Sequence, residues 1–268
     1  MRAYFKVEYG FQMEGTTSIR ESYVGLTDKS LGTLQIGLQN SPAVAVSRYA
    51  DVFNRSGLGS FVPMFQGGRG FPVVYTNAVH ISPTVSGFTG KLLFSPSEGV
   101  PLPGTSRAAA LQYASGPGII SLLYDQSNAE AESVGLSGGV VQKRNFSVGG
   151  KYDFGPVKIS GWLLQNQIDG IGNSTGVAFG ASIPVGKSEF RTSYIQRRSP
   201  NAEAKQFAVG YHNPLSRRTA LYTQVAKIQN SGVSAFGLGP ARAEAAAGGL
   251  TAGGRKILGI QLGVFHTF

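Results

Sequence analysis

The sequence predicts an all-β protein: a single antiparallel, up-and-down transmembrane β-barrel of about fourteen strands that occupies residues 1–268. Three observations predict it. Apolar and polar residues alternate in many short segments, and a period of two is the period of a strand. Tight turns and longer linkers follow one another along the chain. The last segment, 257–268, is itself an alternating strand that ends on an aromatic residue, Phe268.

The composition excludes several other classes. The chain has 38 glycines and 14% charged residues, but only 41% hydrophobic residues, which suits neither a helical membrane protein nor a disordered chain. No apolar run approaches the roughly 18 residues of a transmembrane helix. A β-barrel instead hides its membrane face in alternation. The absence of cysteine excludes disulfides, zinc–thiolate sites and thiol nucleophiles.

The chain is basic, with 24 Lys and Arg against 14 Asp and Glu and a net charge of +10. Nucleic-acid binding is one interpretation of such an excess. The basic residues are, however, scattered singly along the predicted strands and loops. We therefore expect no nucleic-acid partner, and note that a pore attracting anions shows the same dispersed pattern.

Fourteen strands follow from the alternation. The first sets Phe5 and Val7 against Lys6 and Glu8, so one face is apolar and the other wet. The predicted strands are 2–12, 19–27, 32–39, 75–82, 87–95, 106–115, 118–126, 144–154, 156–166, 175–183, 188–197, 205–212, 218–228 and 257–268.

One of these strands, 218–228, has no clear orientation. Leu221 and Val225 compete with Tyr222 and Ile228 for the apolar face, and the pattern leaves both orientations open.

The connections predict which end of the barrel is which. Short turns with Gly, Pro, Asn or Asp chemistry are predicted at 28–31, 83–86, 116–117, 155, 184–187 and 213–217. Longer linkers are predicted at 13–18, 40–74, 96–105, 127–143, 167–174, 198–204 and 229–256. Strict alternation of short and long connections is typical of membrane barrels with periplasmic turns and longer outer loops, and it places both chain ends on the periplasmic side.

A soluble β-sandwich or lipocalin-like barrel also gives alternation and hairpins. Two features favour the membrane barrel instead. Aromatic residues such as Tyr152, Phe154 and Tyr211 fall near strand ends, where interfacial girdles belong. Basic residues such as Lys91 and Lys151 lie within strands on the opposite face.

The chain resembles the Gram-negative general porins, specifically the sixteen-stranded trimeric porins of β-proteobacteria. The matching stretches are 3–11, 20–27, 32–39, 152–158, 215–222 and 263–268. The resemblance implies an outer-membrane channel for passive diffusion of small hydrophilic solutes and ions, a homotrimer, and contact with outer-membrane lipid.

The chain departs from the family at its start. The family has a signal peptide and two further strands before the strand that here begins at Arg2, so we expect either a smaller barrel or an incomplete gene product. In a smaller barrel, 3–11 would close against 258–268. Leu262, Val264, His266 and Phe268 are the barrel-closing signal.

The segment 40–74 follows the third strand, where the family places its inward-folded constriction loop. Its apolar residues, among them Val44, Val46, Phe53 and Phe61, favour packing against the inner wall. The charged members are Arg48, Asp51, Arg55 and Arg69. Opposed Arg and Asp side chains across a narrow pore would create a transverse field that selects ions.

Charged residues on the polar faces of the strands are candidates for the pore wall. They are Lys6, Glu8, Arg20, Lys91, Lys151, Lys158 and Arg191. The six basic residues of this set only slightly outnumber the acidic residues of the strands, which are Glu8, Glu21, Asp125, Asp153 and Glu189. Anion preference is therefore a hypothesis.

Enzymatic readings find little support. His80, His212 and His266 are isolated, and no metal-binding motif surrounds them. We therefore expect no catalytic residue, no cofactor and no bound metal. Two alternatives to a general porin remain: a substrate-specific porin for organic acids, and a soluble or surface adhesive β-protein.

Overall fold

The computed structural model describes residues 1–11, 17–66, 70–96, 105–239 and 253–267. These residues form one antiparallel sheet of fifteen strands, and it contains all fourteen predicted strands. Among the residues described, none of the helical segments has the length and apolar character that crossing a bilayer demands. The one strand beyond the fourteen predicted is a two-residue segment, β5, that pairs only with β6 among the described residues.

The strands are β1 Arg2–Phe11, β2 Thr17–Asp28, β3 Gly32–Asn40, β4 Val74–Ser82, β5 Thr84–Val85, β6 Phe88–Ser95, β7 Ser106–Ser115, β8 Gly118–Glu130, β9 Val140–Asp153, β10 Lys158–Ile168, β11 Gly172–Val185, β12 Ser188–Ser199, β13 Ala202–Pro214, β14 Thr219–Gly232 and β15 Lys256–His266. Two helices, α1 Pro42–Ala50 and α2 Val62–Phe65, lie between β3 and β4, and a 3-10 turn, Ala131–Val134, follows β8.

Each long strand pairs with its neighbour in the chain, as in an up-and-down barrel. Within the described ranges, β1 pairs only with β2, and β15 pairs only with β14. The direct seam that fourteen strands permit, between 3–11 and 258–268, is therefore not formed there.

The two faces of the sheet differ as the alternation predicts. Large apolar side chains point outward and are exposed, for example Phe5 at 77% and Leu262 at 78%. The orientation of β14 is now settled, because Leu221 and Val225 lie outward whereas Ile228 is fully buried inside. Outward apolar and inward polar residues are what a lipid-facing barrel requires.

Two connections differ from the prediction of long linkers. The linker predicted at 167–174 is only Asp169–Ile171, and the one predicted at 198–204 is only 200–201. Gly170 and Asn201 adopt φ values of 78° and 61°, the left-handed region that tight hairpins use. The strands extend into the predicted loops, so the alternation of short and long connections fails at these two places.

We call the end of the sheet that carries the 28–31, 116–117 and 215–218 turns the turn end. The opposite end, which carries the described segments 41–66, 70–73, 131–139, 233–239 and 253–255, is called the loop end. In outer-membrane barrels the short turns are periplasmic and the long loops extracellular.

Candidate functional site

The segment 41–73 is called the constriction loop below, and its described residues, 41–66 and 70–73, fold into the space enclosed by the sheet. Pro42 begins α1, because its fixed φ and missing N–H suit the first turn of a helix. On the wall, Trp162 of β10 is 1% exposed. Three loop rings surround it, with ring centroids 5.0 Å away for Phe61, 5.7 Å for Phe71 and 6.5 Å for Phe65. Aromatic burial therefore holds the loop to the wall.

Glycines in the wall receive the loop side chains. A Cβ atom added to any of these glycines would lie less than 3.0 Å from a loop side-chain atom, a distance that real Cβ atoms essentially never show. The contacts are Gly149 to Val46 at 2.8 Å, Gly176 to Phe65 at 2.8 Å, Gly180 to Val52 at 2.6 Å and Gly210 to Phe53 at 2.7 Å. Glycine inside a strand often marks such a close approach.

Hydrogen bonds fix the tip of the loop to the far wall. The Gly59 N–H donates to Gln224 Oε1 at 2.9 Å, and the Gly59 carbonyl accepts from Ser193 Oγ at 2.8 Å. Gln206 Nε2 donates to the Leu58 carbonyl at 2.8 Å. Side chains from three strands thus satisfy the buried loop backbone, as buried polar groups require.

The first helix has its own tie to the wall. Tyr49 Oη lies 2.5 Å from Ser121 Oγ on β8, and burial raises the pKa of Tyr49 to about 12. The phenol therefore keeps its proton at all physiological pH values.

Arg197 on β12, which was not among the residues predicted from the sequence, is a further anchor of the loop. Its side chain is buried, and Nη1 donates to the Met64 carbonyl in α2. Its guanidinium carbon lies 5.8 Å from the ring centroid of Phe236, within cation–π range. Arg197 therefore joins the constriction loop to the segment 233–239.

A buried polar ladder continues from Arg197 across the inner wall. Nη2 donates to Ser174 Oγ at 3.3 Å, and Ser174 Oγ donates to Asn166 Oδ1 at 3.2 Å. Asn166 Nδ2 donates to Asn145 Oδ1 at 2.5 Å, and Asn145 Nδ2 donates to Asp125 Oδ1 at 3.1 Å. The ladder crosses five strands, β8 to β12. Strand parity could have indicated Arg197, because it shares the inward face with Arg191 and Ser193.

Asp51 lies inside the loop and is 2% exposed. Its Oδ2 accepts from Ser60 Oγ at 2.5 Å and from the Phe61 N–H at 3.3 Å, and its Oδ1 accepts from the Phe53 N–H at 2.9 Å. Burial raises the pKa of Asp51 to about 6, although these hydrogen bonds oppose it. Asp51 was expected to face arginines across the pore; the structure instead gives it contacts that fasten the loop.

Arg55 is only partly buried, and its Nη1 donates to Ser47 Oγ. Burial lowers the pKa of Arg55 to about 10, while the nearby Asp51 carboxylate opposes this shift. Arg69, the fourth charged residue predicted for the loop, lies outside the described residues.

Arg48 of α1 is exposed and faces the open part of the lumen. A cavity of about 300 Å³ lies between α1 and strands β1 to β4 and β6. Its charged or titratable lining residues are Lys6, Glu21, Tyr23, Arg48, His80 and Lys91. The structure therefore brings the predicted Arg48, Lys6 and Lys91 together at one opening.

A β-bulge adds Arg20 to this wall. The β1–β2 register passes from Glu8–Glu21 to Tyr9–Ile19, so Arg20 is the extra residue and turns inward. Its Nη1 lies 3.2 Å from Glu8 Oε1. Gly10 leaves room for it, since a Cβ there would be 3.2 Å from Arg20 Cδ. Bulges re-aim side chains in this way.

Lys6 forms ion pairs with the acidic residues of the same two strands. Its Nζ lies 2.9 Å from Glu8 Oε2 and also contacts Glu21. The four charges on β1 and β2 therefore compensate one another.

The remaining wall candidates lie towards the turn end, apart from the cavity. Lys158 Nζ is 3.2 Å from Asp153 Oδ2, and Arg191 Nε is 3.1 Å from Glu189 Oε1. Lys151 is exposed two residues before Asp153.

The C-terminal residues hold β15 to β14. Leu262 and Val264 lie on the outward face opposite Thr223 and Leu221. His266 Nδ1 is 2.9 Å from Thr219 Oγ1. Phe268 lies outside the described residues.

The other histidines do not form a metal or catalytic cluster. His80 Nδ1 is 2.8 Å from Gln35 Oε1, and His212 lies on β13 opposite Glu189. Across the described ranges, no group of three or more His, Cys, Asp or Glu side chains is placed to hold a metal ion.

Comparisons with known proteins agree with this geometry. The sequence model of the Gram-negative porin family matches residues 1–233. The outer membrane porin protein 32 of Delftia acidovorans is 28% identical over an alignment of 269 positions, and the match covers 93% of this chain and 74% of that protein.

Solved structures give the same result for the fold. The anion-selective porin from Comamonas acidovorans superposes with a TM-score of 0.84 at 25% identity, covering 99% of this chain and 84% of the other. OmpF of Salmonella typhi gives a TM-score of 0.72 at 11% identity, covering 99% and 85%; at that identity the likeness shows the fold alone. Because the family model matches most of the chain, this protein belongs to the Gram-negative porin family, whose members are channels of the outer membrane and not enzymes.

Proposed function

We propose that this porin is a general diffusion channel for small hydrophilic solutes and that it prefers anions. The observation that carries the preference is the pair Arg48 and Lys91. Both line the cavity beside α1, and neither forms an ion pair within the described part of the chain. Two uncompensated cations at a narrow, partly dry passage raise the local concentration of anions.

The other charges near the cavity do not offset this pair. Lys6 and Arg20 are matched by Glu8 and Glu21, so the local excess is positive. The relative of known structure with the highest TM-score quoted above is described as anion-selective, which supports the same assignment here.

Reversal potentials in a salt gradient across a planar bilayer test the proposal. The wild-type protein should show a reversal potential of the sign that anion permeation gives. Arg48→Gln and Lys91→Gln should each reduce the anion-to-cation permeability ratio by about twofold or more, as expected for losing one charge at a constriction. Lys158→Gln is the matched control, since Lys158 is already paired with Asp153 at the turn end.

A cation preference of the wild-type channel, or equal effects of all three substitutions, would contradict the proposal. Current that saturates or is blocked by an organic acid at low concentration would instead indicate the substrate-specific alternative.

We also infer, from the family, that the channel is a homotrimer whose outward apolar face contacts lipid. Exposed side chains such as Phe5, Val24 and Leu262 need an apolar environment. Native mass spectrometry from detergent should give three copies, and boiling should change the migration of the folded species on a denaturing gel. A detergent-free, monodisperse monomer would contradict both inferences.

A further inference from the structure

The outward face of the sheet carries a cluster of lysines at the loop end. Lys205 on β13, Lys227 on β14 and Lys256 on β15 all point away from the lumen, since Gln206, Ala226 and Ile228 beside them are buried inside. The side chains of Lys227 and Lys256 are exposed. A charge on the lipid-facing side of a barrel is costly near the bilayer centre and is tolerated only near an interface.

The strand register brings the three lysines together. Gln229 pairs with Lys205 on one side and with Lys256 on the other. Because neighbouring strands are roughly 4.8 Å apart, the backbones of these two lysines are roughly 10 Å apart. Lys227 lies two residues along β14 from Gln229, roughly 7 Å away. The long side chains can therefore converge on one group the size of a phosphate.

Within the described ranges, nearby acids do not neutralise the cluster. Lys205 Nζ lies 3.1 Å from Glu203 Oε2, but Glu203 is also 2.5 Å from Arg198 Nε. Lys227 and Lys256 form no ion pair with any described residue. The patch therefore has excess positive charge on a surface where uncompensated charge needs a reason.

The surface directly beyond the lysines is apolar. Lys227 pairs with Phe207 and with Leu258, which are 54% and 66% exposed, and Ile260 is 70% exposed. Cations above an apolar stripe match an anionic headgroup whose acyl chains run down the barrel wall.

The asymmetry of the whole outward face points the same way. The outward-facing Lys and Arg residues of the described strands all lie towards the loop end: Arg107, Arg144, Arg198, Lys205, Lys227 and Lys256. At the turn end the outward face carries aromatic pairs instead, Phe88–Tyr113, Tyr152–Phe154 and Phe190–Tyr211, with centroids 4.5 to 4.9 Å apart. On the outward face of the described strands, the basic residues therefore lie at the extracellular side.

We propose that Lys205, Lys227 and Lys256 form a binding site for the phosphorylated sugar headgroup of an outer-leaflet glycolipid. The ammonium groups bind the phosphate, Gln229 donates to it from the centre of the cluster, and the acyl chains pack on Phe207, Leu258 and Ile260. This proposal rests on the outer-membrane location that the family gives, and it does not depend on the ion selectivity proposed above.

Binding of lipid A to the folded full chain in neutral detergent tests this site. Native mass spectrometry counts the bound lipid, with bis-phosphorylated lipid A compared with the same lipid lacking phosphates. We expect wild type to prefer the phosphorylated form by at least about tenfold, with the preference falling as salt rises. The triple variant Lys205→Gln, Lys227→Gln, Lys256→Gln should lose this preference. The triple variant Lys29→Gln, Lys187→Gln, Arg217→Gln, which removes the same charge from the turn end, should keep it.

Three outcomes would overturn the site. Wild type could bind the lipid without phosphates equally well, or the turn-end variant could lose as much binding as the cluster variant. The cluster variant could also keep its lipid preference while losing trimers, which would make the patch a contact between copies of the chain. If the triple variant fails to fold, Lys227→Met, whose side chain suits the surrounding apolar surface, should still weaken phosphorylated lipid binding severalfold.

Discussion

The ring of Phe61 meets the indole of Trp162 edge-on, with the two centroids 5.0 Å apart and the planes at 87°. Phe61 belongs to the constriction loop and Trp162 to strand β10, so this contact joins the loop to the barrel wall. Both side chains are almost completely buried. Edge-to-face pairs of this kind are favoured beyond the area that they bury.

Replacing Trp162 by alanine should therefore release the loop more than it unfolds the sheet. Burial lost from a large aromatic costs about 3–5 kcal/mol, and here that cost falls on the loop–wall contact. We expect larger single-channel conductance and more frequent current fluctuations. Tyr152→Ala, which removes an outward aromatic from the neighbouring strand, is the control and should leave conductance unchanged. Equal conductance in both variants would mean that other contacts hold the loop.

A side chain added to the wall at Gly176 should also displace the loop, because it would occupy the space that Phe65 fills. A Cβ at this position would lie 2.8 Å from Phe65, and overpacking of this kind costs about 1–3 kcal/mol. We expect Gly176→Val to lower the thermal stability of the loop and to change conductance. At Gly90→Val the nearest atom to the new Cβ is 3.8 Å away, so this variant should behave like wild type. The prediction is wrong if the two valines have the same effect.

Removing the guanidinium of Arg197 should loosen α2. A hydrogen bond from a charged donor contributes about 1.5–3 kcal/mol, and Arg197→Gln removes one to the Met64 carbonyl together with the contact to Phe236. We expect faster proteolysis within the constriction loop of the folded protein. Arg198→Gln, on the opposite face of the same strand and paired with Glu203, should leave the loop protected. Protection of the loop in both variants would show that Arg197 is dispensable.

The carboxyl group of Asp51 should make the loop sensitive to pH. Its folded pKa of about 6 lies above the ordinary value of 3.8, so the folded protein binds the proton more tightly than the unfolded chain. Linkage then makes the loop most stable below about pH 4, with stability falling as pH rises to about 6 and constant above that. A shift of this size corresponds to roughly 3 kcal/mol.

We therefore expect fewer current fluctuations at pH 4 than at pH 7 in wild type. Asp51→Asn removes the titration and should show the same fluctuation frequency at both pH values. Fluctuations in wild type that increase on acidification would contradict the assignment to Asp51.

The strands could be predicted from the sequence because one residue in two must face lipid. That rule places Phe5, Ile120 and Leu262 outward without any knowledge of the partners. It fails where the backbone leaves the regular pleat. Arg20 was correctly expected on the pore wall because of its charge, although it shares the parity of Val24 and strict alternation alone would put it on the lipid face. The bulge turns it inward.

The constriction loop shows the other limit. Its inward packing followed from its apolar residues and from the family resemblance, whereas the direction of each charged side chain did not. Asp51 is buried because the backbone N–H groups of Phe53 and Phe61 and the hydroxyl of Ser60 converge on it. Such convergence depends on the three-dimensional path of the loop, and neither charge nor spacing reveals it.

The wall glycines at 149, 176, 180 and 210 have a consequence for engineering. Since each lies under a particular side chain of the constriction loop, the loop and the wall are complementary in shape. A loop grafted alone into another barrel would lack the spaces in the wall that receive its side chains. Transplanting the constriction loop to a new barrel therefore requires glycine at the four corresponding wall positions as well.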